Sequence, residues 1–409
     1  NKLLTGAFRV GVSQQLVVKA LSEFSGVETR VISHRLMGEW SPSESFFTNL
    51  INPDSTDTEQ SRPYPFYLAS PILDEAIESL GEAGNWFGEW KWDGIRAQLL
   101  KRGTDVAIWS RGEELLTERF PEIIREASGL TDGVVLDGEI LPFKDSDVMP
   151  FQELQKRIGR KNLTKKILEE IPVVFMAYDV LEQGGVDLRS LPLHERKQKL
   201  EHILSTRDQV ESQEEFTQLQ LFAPCKTQLS QTLRMSPVLR AENWDEFRRL
   251  RELALAMRVE GLMLKQKDSS YGTGRQRGSW WKWKIDPFTI DAVMVAAQPG
   301  NGKRAGLFTD YTFAVWQGKE LLPIAKAYSG LTDEEILKVD KFVRDNTIRK
   351  YGPQRTVKPV LVFELAFDSL QVSTRHKSGI ALRFPRILRW RMDKTSEQAN
   401  SVETVPQLI

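Results

Sequence analysis

The hexamer KWDGIR at residues 91–96 holds the side chain best suited to covalent chemistry, a lysine that directly follows the apolar stretch WFGEW. A lysine amine is a poor nucleophile while it is protonated, and its ordinary pKa is about 10.4. Neighbouring cations or a metal lower that value, and Arg96 is one such neighbour of Lys91. Taken alone, a lysine beside an Asp-Gly turn is more often a surface ion pair, so the hexamer needs support from other motifs.

A second group of cations lies in the run WWKWK at residues 280–284. Successive side chains of a strand alternate between its faces, so Lys282 and Lys284 share one face while Trp281 and Trp283 share the other. Two cations on one face suit the neutralisation of phosphate oxygens. Without other motifs, a half-buried strand with solvated lysines explains this run equally well.

Strands and helices that could position these residues are mixed from about residue 66 to residue 285. Runs rich in Val, Ile and aromatic residues predict strands at residues 97–103, 105–112, 133–143 and 173–181. A turn at Gly103 is predicted between the first two strands. Apolar periodicity predicts helices at residues 117–128, 151–159 and 193–204. After residue 285 we expect four or five strands with one helix, which suits a small barrel such as an OB-fold. The predicted fold class is α+β.

The start of the chain and one glycine-rich segment show no pattern of catalytic residues. Residues 14–24 have the apolar spacing of an amphipathic helix, whereas residues 39–64 are rich in Ser, Thr, Asp, Asn and Pro and are interpreted partly as a linker. The segment YGTGRQRG at residues 271–278 has neither the GxGxxG nor the P-loop spacing. We therefore predict a flexible basic loop there.

Composition excludes several classes of protein. The chain has 409 residues, a formal net charge of zero and a single cysteine, Cys225, so it cannot build a four-cysteine zinc module. Its four histidines show no ligand spacing, and no apolar run approaches the roughly 18 residues of a membrane helix. We expect a protein without membrane contact that is not secreted. Its expected location is the cytoplasm, associated with the nucleoid, in a bacterium, or the nucleus in a eukaryote.

The net charge of zero is an average over unlike segments. Residues 375–394 hold seven basic side chains against Asp393, and residues 265–284 hold six against Asp268. Residues 201–220, by contrast, are acidic. This distribution favours a nucleic-acid partner.

Further short motifs follow KWDGIR in a consistent order: SRG at 110–112, LDGEI at 136–140, FMAYDVL at 175–181, EGLMLK at 260–265, WWKWKID at 280–286 and RMDK at 391–394. Each motif alone is weak, but all of them in order form a strong signal. Together they resemble the covalent nucleotidyltransferase superfamily, and most closely the ATP-dependent DNA ligases. The resemblance extends from Pro65 to Lys394.

This resemblance implies a domain organisation. Residues 1–64 resemble the C-terminal part of a helical DNA-binding domain plus a linker, residues 65–285 an adenylation domain, and residues 286–409 an OB-fold domain. Because residues 2–21 resemble only the second half of that helical domain, we expect its first half to be missing from this chain. The expected substrate is nicked duplex DNA, bound by a monomer.

The resemblance also assigns roles in nucleotide binding. Lys91 is the amine that attacks the α-phosphate of ATP, and Glu89 is the acid that contacts adenine. Arg96 and Arg111 match positions near the ribose and the 5′-phosphate of the nick. Tyr178 takes the place of the aromatic residue that stacks on adenine. A phenol ring stacks on a base as well as a phenyl ring does.

The remaining assigned roles concern phosphate and metal. Glu139 matches the acid that contacts the ribose and helps to hold a metal, and Glu260 matches a second metal-binding acid. Mg²⁺, or Mn²⁺ in its place, suits two scattered carboxylates, because Mg²⁺ keeps waters and phosphate oxygens as its other ligands. Lys282 and Lys284 match the pair that contacts the α-phosphate. Arg391, Asp393 and Lys394 match the motif that in this family orients pyrophosphate and then turns away from the nucleotide pocket.

Other functions remain open from the sequence. An RNA ligase or an mRNA-capping guanylyltransferase shares KxDG and the barrel, although the helical segment at residues 2–21 favours a DNA ligase. A DNA-binding fragment that adenylates itself but ligates poorly is another alternative. The NAD-dependent ligases carry a four-cysteine zinc module, which this chain cannot form.

Overall fold

The computed structural model describes residues 12, 14–36, 41–53, 62–145, 147–160, 163–205, 232–373 and 376–405. Residues 206–220 of the acidic segment, Cys225, and residues 2–11 and 13 of the segment 2–21 lie outside these ranges. The backbone divides into two compact units, Asn1–Ile285 and Asp286–Ile409. No helix of the described part is long and apolar enough to cross a membrane.

Three helices begin the first unit: α1 (Gln14–Ser25), α2 (Thr29–Arg35) and α3 (Glu44–Ile51). They pack on a small shared core of Val18, Val27, Ile32, Leu36 and Leu50. The helix predicted at residues 14–24 is confirmed.

The linker interpretation of residues 39–64 was wrong for the part that forms α3. The Ser43 hydroxyl accepts a hydrogen bond from the Phe46 N–H at 3.1 Å and so caps the helix, while Leu50 buries its side chain in the small core. A capping serine and a buried leucine therefore outweigh the polar composition of the segment.

Short and long strands follow in the first unit: β1 (Tyr67–Leu68), β2 (Ser70–Pro71), β3 (Trp86–Trp90), β4 (Ile95–Arg102), β5 (Asp105–Ser110), β6 (Val134–Lys144), β7 (Asp147–Val148), β8 (Val173–Gln183), β9 (Val186–Asp187), β10 (Leu233–Met235), β11 (Val238–Leu239), β12 (Gly261–Gln266), β13 (Gly274–Arg275) and β14 (Trp280–Lys284). The helices between them are α4 (Pro121–Ala127), α5 (Phe151–Ile158), α6 (Lys165–Glu170), α7 (Leu193–Ser205) and α8 (Trp244–Glu252). Short 3-10 helices span Asp74–Leu80, Ala83–Asn85 and Thr117–Arg119.

Two sheets organise these strands. One has the order β10-β8-β6-β4-β5, with β7 and β9 attached to it, and the other has the order β11-β3-β12-β14-β2. The first sheet packs on α4, α5 and α7 through an apolar core that includes Phe120, Leu154 and Leu200. The second packs on α8 through Trp244 and Phe247. The strand pair β4–β5 turns at Gly103, whose φ is +58°, as the sequence predicted.

The second unit is mostly strand: β15 (Phe288–Pro299), β16 (Phe308–Gln317), β17 (Glu320–Ala327), β18 (Thr347–Tyr351), β19 (Gln354–Val357), β20 (Val362–Phe367), β21 (Ser369–Val372), β22 (Ile380–Arg383) and β23 (Arg386–Trp390). Its helices are α9 (Asp333–Asp345) and the 3-10 turns Gly302–Arg304 and Ser396–Gln398. The main sheet has the order β17-β16-β15-β19-β18, and β20 joins β15 to β23.

The α+β class is confirmed, but four or five strands in the second unit was an underestimate. The hairpin β18–β19 escaped prediction because its strands are short and polar, and only Val357 at its end is buried. The predicted helix of this unit is α9, which begins with a capping box in which Thr332 and Glu335 bond to each other's backbone N–H groups.

Candidate active site

Backbone hydrogen bonds hold Lys91 at the end of β3. Its N–H donates to the Gly261 carbonyl at 2.8 Å, and its own carbonyl accepts from the Glu260 N–H at 2.9 Å. Gly94 follows in the turn, where an added Cβ would lie 2.3 Å from the Ile140 carbonyl oxygen. The backbone at Lys91 is therefore anchored to the start of β12, and the turn after it tolerates only glycine.

The Lys91 side chain meets a carboxylate that it shares with a second lysine. Lys91 Nζ lies 2.6 Å from Glu260 Oε2, and Lys284 Nζ lies 2.9 Å from the same oxygen. Burial raises the pKa of Glu260, but the two ammonium groups outweigh it and lower that pKa to about 2. We call these three residues the Glu260 cluster.

A cavity of about 300 Å³ opens beside Lys91, a volume at the lower end for small-molecule sites. Strands from both sheets of the first unit supply its walls. The lining residues are Leu68, Ala69, Glu89, Trp90, Lys91, Trp92, Arg96, Arg111, Glu139, Tyr178, Met263, Lys265, Arg275, Trp280 and Lys282. Cations and aromatic rings dominate this set, which suits a flat base joined to phosphates.

Tyr178 and Trp280 provide the aromatic walls of the cavity, one from each sheet. The Lys265 ammonium lies 4.3 Å from the centroid of each ring, within the range of a cation–π contact. Trp280 shares its strand face with Lys282, as the alternation in WWKWK requires, while Trp283 is buried in the core beneath. The predicted alternation along β14 is confirmed.

Glu89 lies at the buried end of the cavity between two lysines. Lys265 donates to Glu89 Oε2 at 2.9 Å, and Lys197 Nζ, which comes from α7, lies 2.5 Å from Glu89 Oε1. Burial lowers the pKa of Lys265 to about 8, although the Glu89 charge opposes that shift. We call these three residues the Glu89 cluster.

Arg96 is held by a buried acid. It donates through Nε and Nη2 to both oxygens of Asp137, at 3.2 and 2.7 Å, and through Nη1 to the Tyr67 carbonyl at 2.6 Å. The Tyr271 hydroxyl donates to Asp137 at 2.7 Å. Since Asp137 is fully buried, this network fixes the Arg96 guanidinium in the cavity wall.

Glu139 reaches the cavity from β6, and its carboxyl group makes no hydrogen bond or ion pair with another residue of the described ranges. Loss of water around it raises its pKa to about 8, while the charges of Lys91, Arg96 and Arg111 act to lower that value. An unengaged acid close to several cations is suited to a polar ligand or a metal.

Lys282 and Arg275 line the same cavity. Burial lowers the pKa of Lys282, and the nearby charges of Arg275, Lys91 and Lys284 lower it further. The prediction of a flexible loop at residues 271–278 was wrong at Arg275, because β13 pairs in parallel with β1 and Arg275 is opposite Leu68. A backbone pairing with a distant strand leaves no signature in a glycine-rich segment.

Glu139 and Glu260 both interact with Lys91, one through its charge and one by direct contact. Across the ranges that the structure describes, no group of three or more His, Cys, Asp or Glu side chains could hold a metal ion. Two carboxylates beside several cations are nevertheless compatible with Mg²⁺, which commonly takes its remaining ligands from water and phosphate.

Of the residues assigned from the sequence, seven line the cavity: Glu89, Lys91, Arg96, Arg111, Glu139, Tyr178 and Lys282. Glu260 and Lys284 join them through Lys91. The assignment missed Lys265, Asp137 and Trp280, although each belongs to a quoted motif. It also missed Lys197. The only sequence signal for this residue is that a lysine lies on the face of α7 that buries Leu193 and Leu200.

The three remaining assigned residues lie in the second unit. Arg391 pairs with both oxygens of Asp393, at 2.9 and 2.6 Å, and with Asp291 on β15 at 3.1 Å. Lys394 Nζ lies 2.5 Å from Asp291. The hydrogen bond from Arg391 lowers the pKa of Asp393 well below its usual range.

Comparisons with known proteins bear on both units. Residues 67–284 match the family model described as the ATP dependent DNA ligase domain, and residues 304–394 match that of the ATP dependent DNA ligase C terminal region. A probable DNA ligase of Koribacter versatilis is 38% identical over 100% of this chain and 71% of that protein. A DNA ligase of Methanoculleus marisnigri is 30% identical over 99% of this chain and 70% of that protein.

A solved structure, Pmar-Lig_PreS3, has a similar fold. Its TM-score is 0.61 at 18% identity, and the match covers 86% of this chain and 72% of that one. At that identity the similarity concerns the fold alone.

Proposed function

Since this chain belongs to the ATP-dependent DNA ligase family, we propose that it seals nicks in duplex DNA and that the cavity beside Lys91 is where ATP reacts. Members of this family work through a lysyl-AMP intermediate. The predicted family, the ligase activity and the fold of a nucleotidyltransferase domain followed by an OB-fold domain are confirmed. The observation that carries the proposal is the Lys91 amine beside a cavity walled by cations and aromatic rings.

In the proposed complex the adenine ring stacks on Tyr178 and its exocyclic amine donates to Glu89. Both side chains line the cavity, and Glu89 is at its buried end. An aromatic ring contacts a base through dispersion, whereas a carboxylate reads a donor on its edge. Glu139 and the fixed guanidinium of Arg96 are proposed to contact the ribose, with Arg111 near the 5′-phosphate of the nick.

The proposed first step joins Lys91 to the α-phosphorus. The Lys91 ammonium releases a proton to solvent and leaves Glu260. Its nitrogen then forms a bond to the α-phosphorus and releases a second proton to solvent, while the bond from phosphorus to the bridging oxygen breaks and pyrophosphate leaves. Lys282 and Lys284 neutralise charge on the nonbridging oxygens during this transfer. Lys284 already contacts Glu260 at 2.9 Å, so it is placed close to the reacting nitrogen.

The proposed metal is Mg²⁺ or Mn²⁺, held by Glu139 and Glu260. A divalent cation there supplies positive charge to the phosphate oxygens. The unengaged carboxyl of Glu139 and the contact of Glu260 with Lys91 support this assignment.

Several further predictions complete the proposal. The orienting role of Arg391, Asp393 and Lys394 towards pyrophosphate, the boundary at residues 64–65 and the monomeric state stay predictions. So does the cytoplasmic or nuclear location. Nicked duplex DNA is the proposed substrate, because DNA ligases act on nicked DNA.

Incubation with ATP labelled at the α-phosphate tests the proposal. We expect the wild type and Lys319→Ala, an exposed control, to carry an acid-labile label, and Lys91→Ala to carry none. Label that persists in Lys91→Ala would contradict the assignment of the nucleophile. Labelling by GTP instead of ATP would favour a capping enzyme, and a preference for nicked RNA would favour an RNA ligase.

A nick-sealing assay then separates ligation from adenylation. We expect the wild type to join a nicked duplex, with AMP passing first to the 5′-phosphate and then leaving as the 3′-hydroxyl attacks. A chain that takes up label but leaves the nick open would instead be a self-adenylating fragment.

A further inference from the structure

The Glu89 cluster contains one more cation than charge balance requires. Lys265 lines the cavity and already donates to Glu89 Oε2, whereas Lys197 lies behind Glu89 and approaches Oε1 from α7. The side chains of all three residues are at most 6% exposed. Two ammonium groups and one carboxylate leave a buried positive charge in excess.

Stability alone does not account for this second lysine. A buried charge loses its hydration, and replacing a buried ion pair with apolar groups of similar volume is often neutral or stabilising. Lys197 projects from the apolar face of α7, beside Leu193 and Leu200, where an aliphatic residue would pack without that penalty. Its ammonium lies 2.5 Å from Oε1 of Glu89, a residue that lines the cavity, so Lys197 can act on the site through Glu89.

We propose that Lys197 is a positioning residue that holds the Glu89 carboxylate aimed at the exocyclic amine of adenine, and that it thereby sets the preference for ATP over purine triphosphates that lack this amine. The inference rests on the proposed function, in which the base lies against Glu89. It concerns base selection, because Lys197 is not among the residues that line the cavity.

Hydrogen-bond donors and acceptors on the purine edge determine which bases fit against Glu89. An ionised carboxylate can only accept hydrogen bonds, whereas a protonated one can also donate. The 6-amino group of adenine donates to such an acceptor, but the 6-oxo group of hypoxanthine or guanine would place two acceptors face to face. One ammonium on each oxygen also restrains rotation of the carboxylate, so its remaining lone pairs keep a constant direction towards the base.

A nucleotide series measures this directly. The substrates are ATP, purine riboside triphosphate, which lacks only the 6-amino group, and inosine triphosphate, which carries a 6-oxo group. The proteins are the wild type, Lys197→Met, Lys197→Gln and the control Lys199→Met, and the readout is pyrophosphate release during nucleotidylation of Lys91. Lys199 is on the same helix two residues away, so it faces another direction.

For the wild type we expect kcat/KM to favour ATP over purine riboside triphosphate by about 10- to 100-fold, the usual effect of a hydrogen bond to a charged group. Lys197→Met and Lys197→Gln are expected to reduce that ratio by about 10-fold, through a higher KM for ATP and with kcat little changed. Lys199→Met is expected to keep the wild-type ratio. The discrimination against inosine triphosphate should weaken in the same two variants.

Equal losses for ATP and purine riboside triphosphate would overturn the inference, because a merely structural lysine affects both substrates alike. Unchanged ratios in both variants would overturn it as well. The Gln variant carries the test if the Met variant does not fold. Failure of the wild type to nucleotidylate Lys91 with any substrate would instead refute the proposed function.

Discussion

The Glu260 cluster and the Glu89 cluster have the same composition, one glutamate between two lysines, but differ in their access to water. In the Glu260 cluster the side chains of Lys91 and Glu260 are each 20% exposed and that of Lys284 is 40% exposed. In the Glu89 cluster the exposure is 6% for Lys197 and 2% for Glu89 and Lys265. The two clusters are linked by β3, which carries Glu89 and ends just before Lys91.

This difference in burial suits two different tasks. An ion pair that water reaches gains little net free energy, so Lys91 can leave Glu260 when it reacts. A fully buried pair cannot exchange its partners for water, so it holds one geometry. The less buried cluster therefore suits the proposed step in which contacts change, and the buried cluster suits the proposed recognition of a base.

The largest expected difference between the clusters is in stability. Glu89→Gln leaves two buried ammonium groups without a counter-charge and should lower the free energy of unfolding by about 3–5 kcal/mol. Glu260→Gln, the matched change in the less buried cluster, should lower it by a smaller amount, about 1–2 kcal/mol, because water reaches its two lysines and hydrates them when the carboxylate is lost. Urea unfolding of both variants beside the wild type measures this difference, and equal losses would show that burial does not distinguish the clusters.

The next largest effect concerns the rate of lysyl-AMP formation. Lys284→Met removes a cation beside the reacting nitrogen and should lower kcat by about 100- to 1000-fold. The free energy of unfolding should change by less than about 1 kcal/mol, since this lysine is partly exposed. Single-turnover labelling of the variant and of the control Lys319→Met compares the two rates, and a loss confined to KM would argue against a role in the chemical step.

The smallest expected effect is a dependence of stability on alkaline pH in the buried cluster. The pKa of Lys265 is about 8 in the folded protein, below its ordinary value of 10.5. Between these pH values the unfolded chain keeps a proton that the folded chain has released, so stability rises with pH. The wild type should gain up to about 3 kcal/mol relative to Lys265→Met across this window.

Urea unfolding of the wild type and of Lys265→Met at several pH values between 8 and 10.5 provides the measurement for the buried cluster. Subtracting the two curves removes the titration that both proteins share. If the difference in the free energy of unfolding between the two proteins stays constant or falls as the pH rises, burial does not lower the pKa of Lys265.

Much of the site could be predicted because its signals are local. Lys91 follows an apolar strand and precedes a glycine turn, and both features are readable in one stretch of sequence. The alternation in WWKWK placed Lys282 and Lys284 on one face because the pleat of a strand has a period of two. The hairpin β18–β19 and the strand at Arg275 were missed, because polar or glycine-rich segments carry no apolar pattern.

By itself, the sequence determined the family and singled out Lys91 as the proposed nucleophile, since each motif is a run of a few residues and the motifs keep one order along the chain. Only the tertiary structure decided which charges meet. The pairing of β3 with β12 brings Glu260 to Lys91, and the packing of α7 brings Lys197 to Glu89. Burial then separates two clusters of identical composition, because the strength and permanence of an ion pair depend on the surrounding water, which no spacing of residues specifies.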